Sequence, residues 1–297
     1  MRAAEPAIAV GEALLRGWPL PVPRGGDKNA RGSVFVVAGA PQMPGAAILC
    51  ATAALRAGAG KLQIGTCASV AAHVGSAVLE ALVVGLDETP SGAIALASAR
   101  TIAEHANDAD ALVIGPGLVD EAASAALIAA VAGELDVPAV IDAAALACLR
   151  ERADAIARLG ARAILTPHAG EMATMLQCPR DEIEANPQAC ARRAASTFRA
   201  VVALKGETTY IADPGGALYR NDHGDVGLAT SGSGDVLAGI IGGLLARGVE
   251  PLRAAIWGVY LHAKAGEALA KRIGMGFLAR ELPAEVPPLM RALSVSG

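Results

Sequence analysis

Thr230-Ser231-Gly232-Ser233-Gly234-Asp235-Val236-Leu237-Ala238-Gly239 is a turn of small residues that runs straight into a helix carrying a carboxylate at its start. Val236, Leu237, Ile240, Ile241, Leu244 and Leu245 then recur at helical spacing, so the helix presents an apolar face. A glycine-rich entry lets backbone N–H groups approach an anion closely, and the helix N-terminus adds a positive partial charge. A carboxylate there would repel a phosphate and is a poor phosphate ligand. Two readings of Asp235 stay open: a base beside a phosphoryl-transfer centre, or an ordinary helix cap.

Working outward, short β-branched runs alternate with longer alanine-rich segments. The pattern predicts strands at Val34–Ala38, Leu62–Thr66, Ala81–Gly85, Ala111–Gly115, Ala139–Asp142, Ala163–Thr166 and Val201–Leu204. It predicts helices at Gly45–Ala57, Ser91–Ala106, Glu121–Leu135, Ala143–Leu149 and Pro187–Arg199. Continuously apolar strands separated by helices indicate a mostly parallel sheet covered on both faces. After Lys205 the pattern changes: Thr208–Ala212 and Ala217–Arg220 flank Asp213-Pro214-Gly215-Gly216, which predicts a late β-hairpin. Helices follow at Arg253–Ala270 and Arg280–Ala292. Residues 1–30 are rich in Pro and Gly and read as a segment wrapping the surface. With no linker or repeat in view, residues 1–297 read as a single domain.

In open parallel sheets, ligands gather at the carboxyl ends of the strands. Gly39, Pro44, Gly45, Gly115-Pro116-Gly117, Asp142, Thr166-Pro167-His168 and Lys205-Gly206 all fall at such ends. Loops need glycine and proline anyway, but that does not account for His168, Lys205 and Asp235.

Composition narrows the function classes. The net charge is −4 and no Lys/Arg run exists, which argues against a nucleic-acid partner. No apolar run approaches a membrane span, and Glu5, Pro6 and Glu12 interrupt what a signal peptide needs. The five cysteines show no CxxC spacing and read as free thiols in a reducing, cytoplasmic setting. Gly60-Lys61-Leu62 is not a P-loop. HExxH, GxSxG and a GxGxxG after the first strand are all missing. A dinucleotide bound here would therefore be a substrate and not a conventional redox cofactor.

The ordered motifs resemble one family. They are Met43-Pro44-Gly45-Ala46-Ala47, Ala53-Ala54-Leu55-Arg56-Ala57-Gly58-Ala59-Gly60, Ile114-Gly115-Pro116-Gly117-Leu118 and Val140-Ile141-Asp142-Ala143. Leu165-Thr166-Pro167-His168-Ala169-Gly170-Glu171, Leu204-Lys205-Gly206-Glu207-Thr208-Thr209 and Ser231-Gly232-Ser233-Gly234-Asp235 complete the set. From about Lys28 to the last helix the chain resembles the ADP/ATP-dependent NAD(P)H-hydrate dehydratases, which have the ribokinase-like three-layer α/β/α fold. It departs from the family pattern at Ala169 (usually Pro), Val119 (usually Gly) and Ser231 (usually Gly). Serine restricts φ, so Ser231 is expected to alter the anion loop slightly. Ala169 is expected to loosen the loop after His168.

The resemblance implies repair of hydrated NADH or NADPH: phosphorylation of the hydroxyl by ADP or ATP, then loss of phosphate to restore the ring. It assigns Asp235 as the base and Gly232, Ser233 and Gly234 as an anion hole. It gives Lys205, Gly206, Glu207, Thr208, Thr209 and Gly234 to the nucleotide, and Ala46, Gly117, His168 and Asp235 to the hydrated dinucleotide. Mg²⁺ would accompany the nucleotide, and no metal ligand is assigned. Action on the S epimer only, a separate epimerase that interconverts the two epimers, and self-association of the chain are further expectations. From the residues alone, Glu171 caps the next helix or positions a magnesium-bound water, Asp142 closes a turn, and His262 reads as structural. Asn221 and Asp222 receive no role. Rival readings are a ribokinase-like kinase for a hydroxymethylpyrimidine, thiazole or sugar, whose product keeps its phosphate, and a non-catalytic nucleotide sensor.

Overall fold

A computed structural model describes residues 6–22, 25, 27–143, 146 and 149–294. The expected helix Ala143–Leu149 falls largely outside them, as do residues 1–5 of the N-terminal segment. The strands are β1 (Ile8–Ala9), β2 (Ser33–Val37), β3 (Lys61–Cys67), β4 (Ala81–Leu86), β5 (Ala111–Ile114), β6 (Ala139–Ile141), β7 (Ala163–Leu165), β8 (Val201–Leu204), β9 (Thr209–Ala212) and β10 (Leu218–Asn221). They form one sheet in the order β1-β10-β9-β8-β7-β6-β5-β2-β3-β4. All neighbours are parallel except β9, which runs antiparallel to both β8 and β10. The late hairpin is thus present. β1 was not expected: it joins the far edge beside β10, so the N-terminal segment extends the sheet as well as covering it.

The helices are α1 (Glu12–Arg16), α2 (Pro44–Arg56), α3 (Ala68–Ala77), α4 (Ala99–Asn107), α5 (Glu121–Ala132), α6 (Ala153–Ala157), α7 (Ala169–Leu176), α8 (Arg180–Ala185), α9 (Pro187–Phe198), α10 (Ser233–Ala246), α11 (Pro251–Ile273) and α12 (Leu282–Ser294). Strand residues alternate between two cores, as the pleat dictates. Val34, Val36, Val113, Val140 and Ile164 face a core shared with α2, α10, α11 and α12. Phe35, Val37, Leu112, Ile114, Ile141 and Leu165 face a second core shared with α4, α5, α7 and α9. The three-layer α/β/α arrangement is as expected. No described helix is long and apolar enough to cross a membrane.

Three expectations change. Ser91–Ala106 is helical only from Ala99 on. Before it, a Glu88–Ile94 bridge and a turn through Gly92 (φ +82°) occupy the chain, with Thr89 Oγ1 accepting from Ala93 N. The hydroxyls and glycine compete with the helix there. The short helices α3, α6 and α8 lie in stretches read as connections. Finally, α10 is not merely one-faced: from Val236 to Ala246 every residue is buried, as in helices buried on all sides. Glycines permit this. A Cβ on Gly239 would stand 2.1 Å from the Cys50 carbonyl oxygen, and one on Gly243 2.2 Å from that of Ala54. The stripe lets α10 lie directly on α2, which fixes where α10 begins.

Candidate active site

The N-terminus of α10 emerges at the carboxyl rim of the sheet. Gly232 takes φ +86°, a left-handed turn that places Ser233 and Gly234 in the first helical turn with Asp235 behind them. The expected effect of Ser231 does not arise, since Gly232 carries the positive φ and Ser231 is an exposed residue with an ordinary backbone. Around this turn the rim supplies its charged groups.

Asp142 ends β6 and is 2% exposed. Ala143 follows at φ +58°, a conformation costly for a residue with a Cβ, and turns the chain away so that Asp142 stays at the rim. Its Oδ1 accepts from Thr166 Oγ1 (2.6 Å) and Lys205 Nζ (3.0 Å). Lys205 leaves the end of β8, its backbone clasped to Pro167 O at 2.8 Å, and its Nζ also lies 3.9 Å from Glu171. Burial works against the Lys205 charge, but Asp142 and Glu171 outweigh it, and its pKa is raised. A Cβ on Gly234 would lie 3.5 Å from Lys205 Nζ and 3.8 Å from Asp142 Oδ2, so the glycine turn sits against this ion pair.

Asp235 completes the group. Burial, and then the nearby Asp142 charge, push its carboxyl up to about 7 against the pull of Lys205. Such a carboxylate is a proton acceptor suited to neutral pH, where an ordinary one is too weak a base. The cap position of the helix is Gly232, and Asp235 is the third residue inside it, which disfavours the cap reading.

The other expected residues lie on two sides. Gly117 (φ +65°) and Ala46, at the N-terminal end of α2, meet face to face: a Cβ on Gly117 would be 2.5 Å from the Ala46 Cβ. One helical turn along α2, Leu49 packs at Gly232, and the Cβ position of Gly232 is 3.8 Å from Asp235 Oδ2. Asp235 thus faces the α2 side. On the opposite side a cleft of about 890 Å³ is lined by His168, Lys205, Gly206, Glu207, Thr209, Ser233 and Gly234, with Leu228, Leu237 and Val259 as apolar wall. A second hollow of about 810 Å³ adjoins the lip and takes in Thr208. Thr208 Oγ1 donates to Asp222 Oδ1 at 3.0 Å, tying the lip to β10.

His168 caps α7. Its Nδ1 accepts from Glu171 N (3.1 Å), while Glu171 Oε2 accepts from His168 N (2.8 Å). Glu171 therefore caps the helix, as one of its two readings had it, and also faces Lys205. Ala169 occupies the first helical position, where proline is tolerated but not required, and the capping box around it is formed. Two residues have partners that the sequence alone did not reveal. Asp142 is the anchor of the lysine, not only a turn residue. His262 lines the cleft, and its Nε2 lies 3.0 Å from the Ser233 hydroxyl. Only the strand order and the α10–α11 crossing bring these together.

Comparison with known proteins points to one family. The NAD(P)H-hydrate dehydratase family model matches residues 34–288. An ADP-dependent (S)-NAD(P)H-hydrate dehydratase of Xanthomonas campestris pv. campestris is 48% identical over 96% of both chains. The crystal structure of the Bacillus subtilis ADP/ATP-dependent NAD(P)H-hydrate dehydratase, co-crystallised with ATP/Mg²⁺, superposes with a TM-score of 0.81. It has 28% identity and covers 98% of this chain and 100% of that one. A ribokinase-like superfamily protein of Enterococcus faecalis shares the fold (TM-score 0.80, 24% identity, 97% and 96% covered). The chain spans about half the length of the curated bifunctional NAD(P)H-hydrate repair enzymes it matches. By its motifs, its fold and these matches, the chain belongs to the NAD(P)H-hydrate dehydratase family.

Proposed function

We propose that this chain dehydrates the S epimer of hydrated NADH or NADPH at the expense of ADP, releasing AMP and phosphate. The observation that carries the reading is the Asp142–Lys205–Asp235 group set against a glycine turn that opens a buried helix. Hydroxide is a poor leaving group near neutral pH. Asp235 takes the proton of the substrate hydroxyl as its oxygen attacks the terminal phosphoryl group. The N–H groups of Gly232, Ser233 and Gly234 hold the phosphoryl oxygens, and Lys205, pinned by Asp142, balances their charge. The carbon–oxygen bond then breaks, phosphate leaves with the electron pair, and loss of a proton from the adjacent carbon restores the double bond.

The nucleotide lies in the cleft over Lys205–Thr209, and the dinucleotide approaches Asp235 from Ala46 and Gly117, with His168 at the lip between them. Among the described residues no three His, Cys, Asp or Glu side chains are placed to hold a metal together. A Mg²⁺ would come with the nucleotide, with Glu171, partly buried at the rim 3.9 Å from Lys205 Nζ, the carboxylate to receive it. When bound, the ion would neutralise phosphate charge. The four described cysteines are unpaired, which suits a cytoplasmic enzyme. A NAD(P)H-hydrate epimerase is the expected functional partner, since relatives of this chain are bifunctional NAD(P)H-hydrate repair enzymes. Self-association is read along the edge strand β4, where Leu82 on the strand and Leu79 just before it are 60% and 83% exposed, and sedimentation reports it.

The test is direct. Purified protein with ADP and hydrated NADH should return the near-ultraviolet absorbance of the reduced ring with stoichiometric AMP and phosphate. A stable phosphorylated product would indicate a kinase, and nucleotide binding without turnover of either hydrate would indicate a sensor.

A further inference from the structure

We propose that His262 is a positioning residue for phosphoryl transfer, fixing the Ser233 hydroxyl as a donor to the phosphoryl group held at the glycine turn. This rests on the phosphoryl-transfer reading above.

Ser233 is the first residue of α10 and is 5% exposed. A serine there commonly turns its hydroxyl to nearby backbone. Here Oγ reaches across to His262 Nε2 on α11, 3.0 Å away, and both side chains line the cleft beside Gly234 and Lys205. The contact joins residues 29 apart in the sequence, on two successive helices.

Proton bookkeeping makes the bond directional. A serine hydroxyl has one proton, and a neutral imidazole has one donor and one acceptor nitrogen. Burial holds His262 neutral, with its pKa down at about 4; a hydrogen bond to the Ser233 backbone opposes the shift and the Lys205 charge adds to it. If Nε2 accepts, the serine proton is spent on the histidine and lone pairs face the cleft, where they repel a phosphate. If Nε2 carries the proton, it donates to Oγ, and the serine proton points to the cleft. An anion at the turn selects the second arrangement. His262 thereby aims a hydroxyl donor without itself touching the reacting atoms. Because the imidazole stays neutral, its own charge does not alter the phosphate field.

The experiment is a double-mutant cycle on the full chain. Its variants are Ser233→Ala, His262→Leu (similar bulk, no donor), the pair, and His262→Gln, which keeps a donor. Each is checked for wild-type circular dichroism. Losing one donor to a developing oxyanion costs about 10²–10³-fold in other enzymes, and a misaimed hydroxyl loses part of that. The expected result is that His262→Leu lowers kcat about 10–100-fold with little change in KM for the hydrated dinucleotide. The double variant should be no slower than the worse single one, and His262→Gln should recover most of the loss.

Multiplicative losses, wild-type kcat in His262→Leu, or a Gln variant no better than Leu would each overturn the proposal. Should His262→Leu not fold, His262→Asn takes its place in the cycle, since its shorter amide falls away from Ser233. The same variants are titrated with ADP by calorimetry, which needs no turnover. A wild type that turns over no hydrate defeats the parent reading. The coupling between Ser233 and His262 in ADP affinity then still decides the positioning claim.

Discussion

At the scale of single residues, the chemistry concentrates in two carboxylates sharing one ammonium. Asp142 and Asp235 repel each other, and Lys205 bonds the first, so protonation falls on Asp235, at about 7. The base is active when deprotonated, so kcat/KM should rise with pH through about 7 and level off above it. Asp235→Asn should remove turnover by at least about 10²-fold while ADP affinity persists. The same variant tests the stability linkage. Because the folded carboxyl is raised above its ordinary value of 3.8, the folded state holds the proton more tightly than the unfolded chain. Stability is therefore full below that ordinary value and declines as pH rises toward about 7. Asp235→Asn should raise Tm at pH 8 and leave it nearly unchanged at pH 4. Asp142→Asn removes the like charge and should move the acid limb of the pH–rate profile to lower pH. It also frees Lys205, so KM for ADP should rise. A limb that stays put would show that burial alone sets the Asp235 value. Asp235 and Lys205 were legible in the sequence because each stands beside glycine at an element's end. Asp142 and His262 were not, since their partners come from other elements.

At the scale of elements, the placement of the base depends on how closely α10 can lie on α2. Gly239 and Gly243 press on the Cys50 and Ala54 carbonyls, with any Cβ coming within 2.2 Å of backbone oxygen. Alanine would be a better helix former by roughly 1 kcal/mol. Overpacking a backbone contact costs about 1–3 kcal/mol, and backbone cannot rotate away as a side chain can. Gly243→Ala should therefore lower the free energy of unfolding by up to about 2 kcal/mol net, read as a lower urea midpoint. Activity should fall as well, because the helix start must shift. A gain in stability would mean that α10 can slide, and that its register is not what holds Asp235. The apolar spacing of this helix was readable, but its burial on all sides was not, since glycine counts as neither apolar nor polar in a periodic pattern. Helix α7 was anticipated only through Glu171 as a capping residue and was given no bounds, because it is eight residues long and begins right after Thr166-Pro167-His168, which reads as loop. Its cap comes from a histidine, outside the usual set of capping residues.

At the scale of the molecule, the parallel order and the two cores were legible because each strand is apolar on both faces and each crossover is helical. The closing edge was not. β1 has two residues, and its partner β10 lies about 210 residues later in the chain, so no local pattern announces it. The N-terminal segment is nonetheless fastened at several points. Trp18 meets Tyr219 edge to face at 5.8 Å and lies 5.3 Å under the Arg253 guanidinium, and its carbonyl accepts from Trp257 Nε1 at 2.9 Å. Arg247 donates to the carbonyls of Pro21 and Ala57, joining the segment to the loop after α2. We infer that the segment and the sheet unfold as one domain. Trp18→Ala removes the aromatic and cation contacts while the carbonyl remains, at a cost of roughly 1–3 kcal/mol. If the molecule is one cooperative unit, that cost should appear as a lower urea midpoint with the slope m unchanged. A smaller m, or a transition in two steps, would mean that the segment peels away before the sheet unfolds. Leu15 and Leu20, now buried in the core shared with α10 and α11, would then be exposed in the intermediate and bind a hydrophobic dye.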